Sequence, residues 1–152
     1  MNTKVSALLA ATLLIPGLAD AINCRVTVAP LAFGIYNPGQ ATPVDSVANI
    51  TVRCQAQPGT YAVTIGAGLS GDQLARTMLA GAGQVLNYNL YRDPARTQVW
   101  GDGTPPTFLV AGARIEKGRP TSYDHPIYGR IFGNQFPDPG TYTDTLLVTV
   151  LF

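Results

Sequence analysis

The stretch from residue 140 to residue 152 constrains the fold of this chain more than any other. Pro137, Pro139 and Gly140 break the chain just before or at its start. Thr, Tyr, Val and Leu then alternate with a period of two, as in a half-buried β-strand. One face of the predicted strand carries Tyr142, Leu146, Val148, Val150 and Phe152, and the other carries Thr143, Thr145, Leu147, Thr149 and Leu151. Because both faces become apolar toward residue 152, and because an unpaired strand edge invites pairing with another chain, we expect this strand to be covered.

Residues 1–21 have the composition of an export signal. Lys4 supplies a positive charge, residues 5–18 are nearly all apolar, and Ala19-Asp20-Ala21 offers small residues for cleavage. The apolar run is too short for a membrane span, which needs about 20 residues, and no later segment approaches that length. We therefore predict a signal peptide over residues 1–21 and a mature domain over residues 22–152, with a buried N-terminal helix as the alternative.

Composition narrows the class of the mature domain. Its length, 152 − 21 = 131 residues, suits one domain with a hydrophobic core. The formal net charge is +1, and charged residues make up only 12% of the chain. The clustered basic surface of a nucleic-acid-binding protein is therefore not expected. The chain contains 16 Gly and 12 Pro, which indicates many turns and little helix.

Two cysteines, Cys24 and Cys54, lie in the mature domain. In an oxidising compartment such a pair favours a disulfide, whereas two cysteines and one distant histidine do not form a metal-ligand set. Cys24 begins one alternating segment, residues 24–28, and Cys54 ends another, residues 49–54. Alternation in the second segment would place Ile50, Val52 and Cys54 inward. If these two predicted strands are neighbours, their inward faces bring the two sulfurs together.

Further strands are predicted at residues 61–65, 85–92 and 126–132, and the short apolar segment Phe108-Leu-Val110 lies between the last two. In the second of these, Leu86, Tyr88 and Leu90 face one way, and the side with Asn87, Asn89 and Tyr91 is typical of a face that meets water or a partner. Residues 72–80 are interpreted as a helical turn or a loop, and Glu116-Lys117-Gly118 as a turn. The glycine at position 129 indicates a bulge or a close backbone approach. Short strands at this spacing, without a long helix, predict an antiparallel β-sandwich.

Several motifs, taken in order, resemble the spore coat protein U domain family, the subunit type of archaic chaperone–usher pili. They are the mature start with Cys24, Leu31-Ala-Phe33-Gly34-Ile-Tyr36-Asn-Pro38, Ile50-Thr-Val52-Arg-Cys54, Leu86-Asn-Tyr88-Asn-Leu90-Tyr91, Trp100-Gly101-Asp102-Gly103-Thr104, Tyr128-Gly129 and Gly140-Thr-Tyr142-Thr-Asp144-Thr. The likeness runs from about residue 23 to residue 152. Each motif is common in β proteins, and only their order and spacing together are specific.

The resemblance implies an immunoglobulin-like β-sandwich that lacks its last strand. In such pili a periplasmic chaperone lends a strand to the open groove, and a neighbouring subunit later replaces it. The implied function is a non-catalytic structural subunit of a pilus or surface coat, involved in adhesion and biofilm formation. The implied partners are a periplasmic chaperone, an outer-membrane usher and other subunits, without nucleic acid, cofactor or integral membrane segment. The implied location is the periplasm in transit and then the cell surface.

The predicted partner interface is the edge formed by the closing strand. Its residues are Tyr142, Leu146, Leu147, Val148, Val150, Leu151 and Phe152. With cleavage after residue 21, only Ile22 and Asn23 precede Cys24, too few to span a groove at about 3.3 Å per residue. The chain is therefore expected to accept a strand without giving one, as a tip subunit, a terminating subunit or a free coat protein would. Family tip adhesins usually carry two domains, and this chain has room for one.

Two other classes of function find some support in the sequence, to different degrees. An adhesin-like binding module at a pilus tip, recognising carbohydrate or abiotic surfaces through exposed loops, is the alternative function. An enzyme is not expected: Ser70, Asp124 and His125 offer the residue types of a catalytic triad, but adjacent Asp and His point to opposite faces of an extended chain. His125 is instead interpreted as a surface turn residue, and Trp100 as a core or sandwich-edge residue. The loop at Gly101-Asp102-Gly103, with Asp93, lacks regular calcium-ligand spacing and favours a turn.

Overall fold

The computed structural model of this chain describes residues 23–55, 59–81, 83–112 and 120–152. The predicted signal peptide of residues 1–21 and the turn predicted at Glu116-Lys117-Gly118 lie outside the described residues. Within those ranges, no helix has both the length and the apolar character needed to cross a membrane.

The described regions contain eight β-strands and one short 3-10 helix. The strands are β1 (Asn23–Val28), β2 (Val44–Gln55), β3 (Ala62–Ile65), β4 (Thr77–Ala80), β5 (Gln84–Tyr91), β6 (Val110–Ala111), β7 (Thr121–Ile131) and β8 (Val148–Leu151), and the 3-10 helix is Gly68–Ser70.

The strands form two antiparallel sheets. The larger sheet has the order β1-β2-β7-β5-β4, and the smaller sheet has the order β6-β3-β8. Alternating side chains from both sheets meet in one core, which includes Ile50, Val52, Val63, Ile65, Leu86, Leu90, Ile127 and Ile131. The prediction of an all-β, antiparallel, immunoglobulin-like β-sandwich is confirmed.

The two predicted cysteine strands are neighbours. In the register of β1 and β2, Cys24 lies directly opposite Cys54, and the two residues form a disulfide. Ile50 and Val52 are fully buried beside Cys54, as their alternation predicted. The disulfide therefore ties the edge strand β1 to its neighbour β2 in the larger sheet.

The interpretation of residues 72–80 as a helical turn or a loop holds for residues 72–76, which form a loop, but is wrong for residues 77–80. Residues 77–80 form strand β4, in which Met78 pairs with Leu86 and Leu79 with Val85, and the helical turn lies earlier, at Gly68–Ser70. A strand of only four residues is too short to establish a period, so neighbouring apolar residues were compatible with both structures. Pairing with β5 decides the conformation.

The second face of β5 also differs from the prediction. Asn89 is 2% exposed and Tyr91 is 8% exposed. Of these three residues, Asn87 alone is exposed to solvent. The Asn89 amide binds the buried Arg76 side chain and the Leu74 carbonyl. The loop that follows β5 returns alongside it, and Val99 forms an antiparallel backbone bridge with Tyr91. Tyr88 lies in the core, as expected.

Two further residues have the packing roles that the sequence indicated. Trp100 is fully buried, and its indole N–H donates a hydrogen bond to the Val63 carbonyl at 3.0 Å. Gly129 lies in regular pairing between β2 and β5, without a bulge, but in close approach to a neighbouring segment. A Cβ at this position would lie 2.5 Å from Leu31 Cδ2 and 2.7 Å from Phe33 Cζ. The glycine therefore lets the segment after β1 pack directly on β7.

Candidate partner-binding groove

Among the residues that the structure describes, two strand edges on one side of the sandwich have no pairing strand. β1 is the outermost strand of the larger sheet and β8 is the outermost strand of the smaller sheet. The Ala29 N–H donates to the Asn49 carbonyl, and the Gly66 N–H donates to the Leu147 carbonyl. Because backbone groups alternate along an antiparallel strand, those of Val26 and Val28 point away from β2, and those of Val148 and Val150 point away from β3.

The side chains of the same four residues face the core. Val26 lies opposite Val52 and Val28 lies opposite Ile50, both fully buried, yet Val26 is 39% exposed and Val28 is 44% exposed. Val148 and Val150 are half-buried and pack against the core. We call the gap between these edges the edge groove, defined by Val26, Val28, Leu31, Leu146, Val148 and Val150.

Two cavities open along this side of the molecule. A cavity of about 280 Å³ has a mainly apolar lining from both edges and from the core beneath, including Val28, Leu31, Ile65, Leu90, Leu146 and Val148. A second cavity, of about 480 Å³, lies under the loops at residues 31–38 and 137–142 and shares Leu31, Phe33, Met78 and Tyr142 with the first. Because they share these four residues, the two cavities are adjacent along this side of the sandwich.

The structure divides the predicted interface residues between two faces. Tyr142, Leu146 and Val148 line the first cavity, Val150 packs on the inner face of β8, and the Phe152 ring lies 6.4 Å from that of Tyr61. Leu147 and Leu151 point to the opposite face and are 73% and 53% exposed. Sequence reasoning also missed the β1 side of the groove, although the alternation of Val26 and Val28 after Cys24 could have indicated it.

The segment before β8 changes from one sheet to the other. Thr143 exchanges two backbone hydrogen bonds with Leu79 of β4, in the larger sheet, whereas β8 pairs with β3 in the smaller sheet. The predicted long closing strand is therefore shortened to Val148–Leu151, because the chain between residues 143 and 148 crosses the end of the sandwich.

Asp144 anchors this crossing segment. Its Oδ2 accepts a hydrogen bond from the Tyr88 hydroxyl at 2.6 Å, and its Oδ1 accepts one from the Leu69 N–H at 2.9 Å. Burial, together with the hydrogen bond to Asp144, raises the pKa of Tyr88 above its usual value. Sequence reasoning gave Asp144 no role, although it belongs to the family-like motif at residues 140–145.

Arg76 is the second residue that sequence reasoning missed. Its guanidinium is fully buried and donates to the carbonyls of Ile65, Gly66, Gln73 and Trp100 and to the side-chain oxygen of Asn89. Burial lowers the pKa of Arg76, and nearby Tyr88 and Asp144 oppose that shift. The arginine thus joins both sheets immediately behind the floor of the groove.

The interpretation of His125 as a surface turn residue was wrong. It lies in β7 and is half-buried, and its Nε2 is 2.8 Å from the Tyr61 hydroxyl. Asp124 accepts a hydrogen bond from the Thr51 hydroxyl, and the Ser70 Oγ lies 3.0 Å from the backbone carbonyl oxygens of Ala67 and Asp72, to one of which it donates. The three candidate triad residues therefore have separate partners. Burial lowers the pKa of His125, and the charge of Asp124 partly opposes this shift.

The depressed pKa of His125 predicts a pH dependence of stability. The unfolded chain, with a histidine pKa near 6.5, binds a proton before the folded chain does as pH falls. The free energy of unfolding should therefore decrease between about pH 7 and pH 5, and His125→Gln should flatten this decrease. Urea unfolding at a series of pH values measures both slopes; equal slopes in the two proteins would contradict the assignment.

The candidate calcium loop is a set of turns. Asp102 Oδ1 accepts a hydrogen bond from the Thr104 N–H at 2.8 Å, and Asp93 accepts them from the Thr97 and Gln98 N–H groups. Over the described ranges, the structure brings together no group of three or more His, Cys, Asp or Glu side chains suited to a metal ion.

Comparisons with known proteins identify relatives of this chain. The sequence profile of the Spore Coat Protein U domain matches residues 9–149. Over 136 residues the chain is 31% identical to Protein U of Myxococcus xanthus, an alignment that covers 80% of this chain and 71% of that protein.

Among solved structures, the fold resembles a chain in the CsuC–CsuE chaperone–tip adhesion subunit pre-assembly complex from archaic chaperone–usher Csu pili of Acinetobacter baumannii. The TM-score is 0.60 at 25% identity over 87% of this chain, which spans only 40% of the length of that one. The minor tip subunit HdaB of the E. coli Hda pilus matches with a TM-score of 0.46 at 17% identity, covering 84% of this chain and 82% of HdaB. The profile match and the identity to Protein U confirm the predicted resemblance, and this chain therefore belongs to the Spore Coat Protein U domain family.

Proposed function

We propose that this protein is a non-catalytic structural subunit of a chaperone–usher type pilus or surface coat, and that its edge groove accepts a β-strand from another molecule. The observation that carries the proposal is the double role of Val26, Val28, Val148 and Val150. Each directs unpaired backbone groups to an open edge and an apolar side chain into the gap. An added strand would satisfy both, because its backbone pairs with the edges and its alternating side chains fill the cavities.

The partners follow from this assignment. A periplasmic chaperone would donate a strand first. At an outer-membrane usher, a strand from another subunit would then replace it. The similarity to a chain from a complex between a chaperone and a pilus subunit supports this assignment. In the same proposal, residues 1–21 are a signal peptide, residues 22–152 are the mature domain, and the protein passes through the periplasm to the cell surface, where it takes part in adhesion and biofilm formation.

Two matched substitutions test the groove. Val28→Asp places a charge on the inner side of β1, where a donated strand would bury it, and we expect recovery of the complex with a candidate periplasmic chaperone to fall by about tenfold or more. Leu147→Asp, on the outward face of the crossing segment, is the matched control and should leave recovery unchanged. Circular dichroism and disulfide formation establish that both variants fold. Equal recovery of the two variants would contradict the proposal.

A binding module at a pilus tip is the second candidate. It is supported by Ile35 and Phe136, which are 84% and 81% exposed on the loops beside the second cavity. That function predicts binding to carbohydrate or to an abiotic surface that decreases when both residues are replaced by serine. It also predicts a stable monomer without a chaperone.

A further inference from the structure

Met78 lies beneath the edge groove, at the boundary between the two cavities. Its side chain comes from β4, opposite Leu86, and lines both cavities where they meet. It is 8% exposed, and the two cavities that it lines are mainly apolar or aromatic, with Asp138, Thr141, Thr143 and Asp144 as their polar members. The sequence contains two methionines, Met1 and Met78, so Met78 is the single methionine of the predicted mature domain.

Met78 is within reach of small solutes while the groove is empty, because it lines both cavities. A cavity of about 280 Å³ on one side and of about 480 Å³ on the other is far larger than the roughly 30 Å³ that one water molecule takes in the liquid, and hydrogen peroxide is only slightly larger than water. A strand that filled the groove would close both approaches. Accessibility of the sulfur would then report whether the groove is filled.

We propose that Met78 is an oxidation site whose modification controls strand uptake: a peroxide oxidises its thioether while the groove is empty, and the sulfoxide disfavours strand binding. This inference rests on the proposed function of the groove. In the reaction, the sulfur lone pair attacks one oxygen of hydrogen peroxide, the O–O bond breaks, and an S–O bond forms. The other oxygen leaves as water after proton transfer, so the sulfur is oxidised by two electrons and the peroxide is reduced by two.

The sulfoxide is a poor neighbour for an incoming apolar strand. Its oxygen is a hydrogen-bond acceptor, but the Tyr88 hydroxyl already donates to Asp144, and the Tyr142 hydroxyl already donates to the Asp138 carbonyl. The other residues that line both cavities beside Met78 are Leu31 and Phe33, which cannot donate, and the Thr141 and Thr143 side chains are exposed to solvent. An unpaired polar group buried on strand binding should weaken that binding by about tenfold or more.

Peroxide treatment of the mature protein, alone and in its chaperone complex, tests the inference. Peptide mass spectrometry should find one added oxygen on Met78 in the free protein and little in the complex. The oxidised protein should then bind the chaperone about tenfold more weakly than the untreated protein. Met78→Leu, which keeps the apolar volume, should bind normally before and after peroxide.

The outcomes separate this inference from the function on which it rests. If neither the untreated protein nor Met78→Leu binds a chaperone, the proposed function fails. If both bind, three results would overturn the oxidation site alone. These are no oxygen on Met78 in the free protein, equal oxidation in the complex, or unchanged binding after oxidation.

Discussion

Replacing Arg76 by methionine is expected to lower the free energy of unfolding by about 4 kcal/mol or more. The substitution keeps an unbranched apolar stem but removes every donor from a site that is fully buried. The carbonyls of Ile65, Gly66, Gln73 and Trp100 would lose this partner, as would the side chain of Asn89, and each buried acceptor left without a donor costs about 1–3 kcal/mol. This loss is a large fraction of the free energy of unfolding of a typical domain, which is about 5–15 kcal/mol.

Urea unfolding followed by tryptophan fluorescence measures the effect, because Trp100 lies in the same network. Arg76→Lys should restore little stability, since one ammonium group cannot replace the planar fork that reaches several carbonyls. Arg53→Met is the matched control: Arg53 is exposed on β2, and its replacement should change stability by about 0.5 kcal/mol or less. An Arg76→Met protein as stable as the control would show that the buried network contributes nothing to folding.

Removal of the disulfide should have the second largest effect. Cys24 and Cys54 are 30 residues apart in sequence, and the loss of loop-closure entropy for such a loop corresponds to about 3–4 kcal/mol. A Cys24→Ala/Cys54→Ala protein should unfold at correspondingly lower urea. β1 would also detach more readily, because it is an edge strand whose one paired neighbour is β2. Detachment of β1 would remove Val26 and Val28 from the edge groove, so that the groove would lose one of its two sides.

Two measurements distinguish this explanation from simple loss of core volume. Reduction of the unmodified protein should lower its stability by a similar amount, because it breaks the S–S bond and opens the same loop while every side-chain heavy atom stays in place. Hydrogen exchange of the β1 amides should increase more than that of the β7 amides in the double variant. A double variant with unchanged stability would contradict the proposed role of the disulfide.

The individual strands were largely predictable, because a half-buried strand repeats every two residues. The alternation at Ile50, Val52 and Cys54, and at Leu86, Tyr88 and Leu90, indicated which side chains are buried, and each of these six is buried. β4 was not predictable in this way, since four residues do not establish a period. Its conformation follows from pairing with β5.

The candidate site was predictable only in part. The apolar closing stretch indicated an edge that needs covering, and Leu146, Val148 and Val150 do lie on the inner side of that edge. Leu147 and Leu151 were included because they are apolar, yet the pleat directs them to the outer face. Arg76 was missed, because an isolated arginine in a sequence is typical of a solvent-facing position and becomes a core residue only when distant carbonyls surround it.

The sequence by itself determined the strand faces, the positions of most turns, the family and a cysteine pair suited to a disulfide. These are properties of neighbouring residues, or of motif order, and they persist in any arrangement of the strands. Only the tertiary structure decided that the chain crosses from β4 at Thr143 to β3 at Val148, leaving the outer edges of β1 and β8 open toward each other. The physical reason is that strand pairing joins segments far apart in sequence, so the partner of an edge is set by the packing of the whole sandwich.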